Sequence, residues 1–199
     1  MDVETIVALA GWVDARDDST GGHAVRVSRI AVAIARRLGY VGAELEAIRV
    51  GALLHDLGKV GIPQRILRKP GPLSAEEWSV MRTHPLISHA MLAELDLPQA
   101  VCAIARHSHE RIDGAGYPDG LAADAIPLEA RIVFVADAFD ALTSDRPYRA
   151  GCGSYEALEE VRRHSGTQFC PRVVAALERV NVEAPELLGA EPARLVAVA

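Results

Sequence analysis

His55-Asp56-Leu57-Gly58-Lys59 sets an imidazole and a carboxylate side by side, with an ammonium three residues past the aspartate. Such a pair can share one metal ion or bridge two, and Lys59 can hold an anion over them. The pair follows the apolar run Ala52-Leu53-Leu54, so its desolvation needs a compensating partner, which a metal supplies. A second segment, His109-Glu110-Arg111-Ile112-Asp113-Gly114-Ala115-Gly116-Tyr117-Pro118, carries another histidine into a glycine-rich turn. Asp137 follows Ile132-Val133-Phe134-Val135-Ala136, where an unpaired buried carboxylate would be costly. One ion on His23, His55, Asp56 and Asp137 satisfies both sites, and the second oxygen of Asp56 can reach another ion on His84 and His109. Taken singly, each residue has a duller explanation: His23 and His109 as surface histidines, His84 before Pro85 as a helix end, Asp137 as a buried hydrogen-bonder. Mixed imidazole and carboxylate donors suit iron, manganese, zinc or nickel. The chemistry implied is metal-dependent hydrolysis of a phosphate ester.

Helices must position these groups. Val27, Ile30, Ala31, Ile34 and Leu38 follow helical spacing, with Gly39 as a stop, and Glu44 to His55 repeats the pattern. Gly58, Gly61, Pro63, Pro70, Gly71 and Pro72 predict an ordered loop of about 15 residues. Ser74 and Glu77 form a capping box that restarts a helix. Further helices are predicted over about 86–95, 98–108, 128–143, 154–165 and 171–181, with Pro127 at a first turn. A short strand over Arg131–Ala136 is the competing reading, but Asp137 to Leu142 continues as helix. The fold class is all-α, with residues 1–182 as one domain and 183–199 as a C-terminal tail.

The chain has 199 residues, half of them apolar, enough for one sizeable core. No uncharged apolar run approaches the roughly 18 residues of a membrane span, and Met-Asp-Val-Glu does not open a secretory signal. Cys102, Cys152 and Cys170 lack paired spacing and read as reduced thiols of a cytoplasmic protein. A net charge of -6 argues against a general DNA-binding surface. It leaves room for a local basic pocket for a phosphate ligand.

The order His23, His55-Asp56, His84, His109, Asp137 resembles the HD superfamily of metal-dependent phosphohydrolases. The segments HDLGKVGIP (55–63), HERIDGAGYPDGL (109–121) and DAFDALTSDRPYR (137–149) are similar to the HD-GYP subfamily in particular. The resemblance runs from about Asp17 to Phe169 and implies an all-helical bundle with the metal site between helices. It implies hydrolysis of cyclic di-GMP to pGpG, and on to GMP, by metal-activated hydroxide. His23, His55, Asp56, His84, His109 and Asp137 match ligand positions, for two divalent ions, iron or manganese. Lys59, Arg146 and Arg149 match phosphate-contacting positions, and Tyr117 belongs to a substrate-contacting loop. Two arginines in a loop also fit a plain solvated salt bridge, and the turn at Tyr117 fits a merely structural one.

Three positions depart from the pattern. Ser108 stands where the family usually has a histidine ligand, so the second ion loses an imidazole; His107 is rotated by about 100° on a helix and does not replace it. Ser19 stands where some members carry a glutamate for a third metal, so two ions are expected. Cys170 stands where an aspartate is common. The resemblance also implies signalling partners such as GGDEF-domain proteins, with oligomers allowed, and the 199 residues leave no room for a preceding receiver domain. Two other readings stay open: a catalytically weakened nucleotide-binding or protein-interaction module, and a hydrolase of another cyclic dinucleotide.

Overall fold

A computed structural model describes residues 2–16, 22–145 and 150–188. Among these the architecture is all-helical. The main helices are α1 (Val3–Arg16), α2 (His23–Arg37), α3 (Gly42–Leu54), α4 (Gln64–Leu67), α5 (Ala75–Met81), α6 (His84–Glu94), α7 (Gln99–His107), α8 (Leu128–Thr143), α9 (Ser154–Arg163) and α10 (Pro171–Glu183). No helix is long and apolar enough to cross a membrane among the described residues.

α2 is the central element. Val27, Ile30, Ala31 and Ile34 line its buried face and pack with Ile48 and Ala52 of α3, Ile132, Val133 and Phe139 of α8, and Leu177 of α10. A second cluster joins Ile6, Ala10 and Val13 of α1 to Leu53 and Leu54 of α3, Leu92 of α6 and Val101 and Ala105 of α7. α3 contributes to both clusters, so its C-terminal end is fixed from two sides. His55, the residue after that end, is fully buried.

Several expectations are corrected. α1 precedes the helices expected from the sequence: its buried positions Ile6, Ala10, Val13 and Asp14 have helical spacing, but an aspartate interrupts the apolar stripe. The predicted long loop after Gly58 holds two short helical pieces, a 3-10 turn over Leu57–Gly61 and α4, because Leu57, Ile62 and Ile66 are buried and pull the chain inward. His84 opens a helix rather than ending one, since Pro85 sits in the first turn of α6, where its missing N–H costs nothing. The capping box at Ser74 and Glu77 is present. Pro185–Leu188 forms a 3-10 turn whose Leu188 is buried in the core, so packing continues past residue 183.

Gly58 makes the close contact between the turn after Asp56 and α6. A Cβ there would fall on the His84 carbonyl oxygen and the Ser88 amide nitrogen. Ser88 Oγ accepts from Gly58 N at 2.8 Å and donates to the His55 carbonyl at 3.0 Å. One buried serine thus ties α6 to the turn that carries His55 and Asp56.

Candidate metal centre

The site residues come from helix ends: His23 starts α2, His55 and Asp56 follow α3, His84 starts α6 and His109 follows α7; Asp137 alone lies inside a helix, α8. Helix ends leave backbone groups unpaired, and two histidines use them. His55 Nδ1–H donates to the Ala52 carbonyl and His84 Nδ1–H to the Met81 carbonyl, both at 2.8 Å. A carbonyl only accepts, so Nδ1 carries a proton in each ring and Nε2 is the atom turned toward the site.

Donor atoms converge there. His23, His55 and Asp137 offer one ligand atom each within 4.8 Å of one another, and so do His55, Asp56 and His109. His55 belongs to both sets. Asp56 Oδ1 lies 3.2 Å from His84 Nε2 and 3.6 Å from His109 Nε2, while Oδ2 lies 3.4 Å from His55 Nε2 and 2.8 Å from Lys59 Nζ. The two oxygens therefore face different partners.

The residues fit bound cations. His55 Nε2 and Asp56 Oδ1 are buried and make no hydrogen bond, a costly state that coordination relieves. His84 Nε2 and His109 Nε2 stand 2.9 Å apart, about the separation of adjacent ligands on one octahedral ion at roughly 2.1 Å. Asp56 is held well below the usual carboxylate range: burial opposes this, but the closeness of His55, the Lys59 ammonium, His109 and His84 prevails. Burial lowers the pKa of His109, which favours the neutral ligand form.

Two further carboxylates, Asp140 and Asp14, position site residues without being candidates in the sequence. Asp140 is buried and accepts from His23 Nδ1 at 2.8 Å and from Arg26 Nε at 2.6 Å. This leaves His23 Nε2 toward Asp137 Oδ1, at 3.4 Å. Asp140 thus takes the deeply buried position expected for Asp137, whose side chain is 20% exposed. The signal was present: His23 and Arg26, like Asp137 and Asp140, lie one helical turn apart. Asp14, the polar break in α1, accepts from the Ala24 backbone at 3.2 Å and so fixes the first turn of α2.

Tyr117 stacks on His109, with ring centroids 5.2 Å apart, and Arg82 lies over the tyrosine ring at 5.6 Å. Gly116 permits this fold-back, since a Cβ there would meet the backbone of Glu110 and Arg111. Ser108 is buried, its hydroxyl directed to the Ala105 carbonyl at 3.5 Å. Arg146, Arg149 and Ser19 lie outside the described residues.

Residues 9–173 match the HD-domain family, and the chain belongs to it. HD-domain phosphohydrolases are metal-dependent, in keeping with the His and Asp clusters. The chain is 43% identical over 188 residues to the cyclic di-GMP phosphodiesterase response regulator RpfG of Xanthomonas campestris, covering 94% of this chain and 50% of that protein. It is 41% identical to a cyclic di-GMP phosphodiesterase of Thermotoga maritima, covering 84% and 46%. To 3'3'-cGAMP-specific phosphodiesterase 3 of Vibrio cholerae it is 38% identical, covering 87% and 38%. The chain thus spans half or less of these relatives' length. Among solved structures, the cyclic GMP-AMP specific phosphodiesterase V-cGAP3 of V. cholerae superposes with a TM-score of 0.75 at 23% identity, over 94% of this chain and 50% of that one. The PgpH HD domain of L. monocytogenes gives 0.63 at 13%, over 92% and 95%. At these identities the two structures speak for the all-helical HD fold alone.

Proposed function

We propose that this chain is a two-metal cyclic dinucleotide phosphodiesterase acting on cyclic di-GMP and releasing pGpG. The observation that carries the reading is the pair of buried, unbonded atoms His55 Nε2 and Asp56 Oδ1 at the meeting point of two donor sets. His23, His55, Asp56 and Asp137 would hold one ion, and Asp56, His84 and His109 the other, with iron or manganese suited to the donors. Bound there, the ions would neutralise the phosphate and acidify a nucleophilic water.

The protein's own groups do the rest. Asp56 presents one oxygen to each side, and Asp140 holds His23 with its Nε2 inward. Lys59, whose ammonium rests 2.8 Å from Asp56, supplies a point charge for a phosphate oxygen. Tyr117 and Arg82 offer a ring and a cation at the side of His109 for a base or the second phosphate. Arg146 and Arg149 are proposed as further phosphate contacts.

Ser108 favours a second reading, a weakened nucleotide-binding module, because its buried hydroxyl replaces an imidazole and is turned to a backbone carbonyl. Anaerobic incubation with cyclic di-GMP and manganese(II) or iron(II) separates the two. The enzyme releases pGpG; the module binds the nucleotide and leaves it intact. Running 3'3'-cGAMP alongside ranks the two substrates, which the relatives' names leave open.

A further inference from the structure

His107 does not join the centre around Asp56. Its Nδ1 lies 3.5 Å from Asp119 Oδ2, is buried, and makes no hydrogen bond. The Glu110 carboxylate lies alongside, accepting from Asp119 N at 2.7 Å and Leu121 N at 3.1 Å. Each of the three side chains offers a ligand atom, and all of these lie within 4.8 Å of one another. We propose that His107, Glu110 and Asp119 form a separate site for a zinc-like divalent cation, at the rim of the turn that carries Tyr117.

The donor chemistry selects the ion. One imidazole with two carboxylates suits zinc and its first-row neighbours, whereas magnesium and calcium take oxygen ligands. Ligands on a tetrahedral ion at about 2.1 Å stand about 3.4 Å apart, so closing the cluster asks for side-chain shifts of about an ångström. His89 is a fourth candidate donor: its Nδ1 faces the Cys102 carbonyl at 3.2 Å, leaving Nε2 open, and its charge bears on both His107 and Asp119.

Arg106 is the competitor. Its Nε and Nη2 each donate to Asp119 at 2.8 Å. One guanidinium against two carboxylates still leaves a negative surplus for a dication. The bound ion would fasten the end of α7 to the turn after Pro118, and so hold Tyr117 against His109.

The test is zinc binding by the full chain, counted by metal analysis after equilibrium dialysis and located by anomalous diffraction from zinc-grown crystals. We expect a zinc peak within about 2.5 Å of His107. His107→Ala and Asp119→Asn should each bind one zinc fewer than the parent chain, and Arg106→Gln should bind that zinc at least about threefold tighter. Asp56→Ala should keep this zinc while losing central ones, which separates this site from the proposed catalytic centre. Asp119 lies on the exposed rim, so Asp119→Asn stays informative even if His107→Ala folds poorly. Equal zinc counts in the parent chain and Asp119→Asn, or no peak at His107, would overturn the proposal.

Discussion

Asp140 illustrates how one carboxylate governs a neighbouring ligand. It is shared between the His23 imidazole and the Arg26 guanidinium, and its pKa stays low: burial works against this, but both bonds outweigh it. Asp140→Asn should weaken metal binding by roughly 10- to 100-fold, the usual cost of losing a ligand's orienting partner. Isothermal titration with manganese(II) checks this, and unchanged affinity would mean that His23 needs no such partner. The same contact predicts a pH effect in metal-free protein. Burial opposes protonation of His23, but the Asp140 bond and the charges of Asp137 and Asp56 raise its pKa above the ordinary 6.5. A raised folded pKa gives stability that is full below 6.5 and lost as pH climbs through the folded value. Metal-free protein should therefore lose thermal stability as pH rises above about 6.5, and Asp140→Asn should flatten that slope. At Ser108, restoring an imidazole with Ser108→His should tighten the second ion and raise turnover. No change in either would show that this position faces away from the metals.

At the scale of the elements, the site depends on how closely α6 meets the turn after α3. Gly58→Ala would force a methyl group into the His84 carbonyl and Ser88 amide, so the two elements must separate. A loss of about 1–3 kcal/mol is expected, the range for overpacking a tight contact, together with weaker metal binding. Chemical denaturation checks the first and titration the second; parental stability would mean that the contact opens at little cost. The helices with regular apolar spacing, α2, α3, α8 and α10, were legible from residue pattern alone. α1 was not, because Asp14 breaks its stripe to bind the α2 backbone, and such a tertiary contact has no local signature. The two short pieces after Gly58 were hidden for a related reason: glycines and prolines mark a loop, whereas buried Ile62 and Ile66 decide its path. In the centre, His55-Asp56 announced itself by adjacency, but the roles of Asp140 and Ser88 rest on partners far away in sequence.

Across the whole molecule, helices separated widely in sequence meet at one small group of donors, so metal binding and global stability should be coupled. An ion at about 100 times its dissociation constant adds about 2.7 kcal/mol to folding. Manganese(II) should raise the melting temperature and a chelator reverse it, with Asp56→Ala responding less than the parent chain. A melting temperature indifferent to metal would place any ion outside the folded core. The most direct test of the account as a whole is product analysis after anaerobic incubation of the chain with cyclic di-GMP and manganese(II) or iron(II), in parallel with Asp56→Ala. The account predicts metal-dependent release of pGpG by the parent chain and none by the variant. Intact nucleotide from a metal-loaded parent chain, or equal turnover by Asp56→Ala, would contradict it.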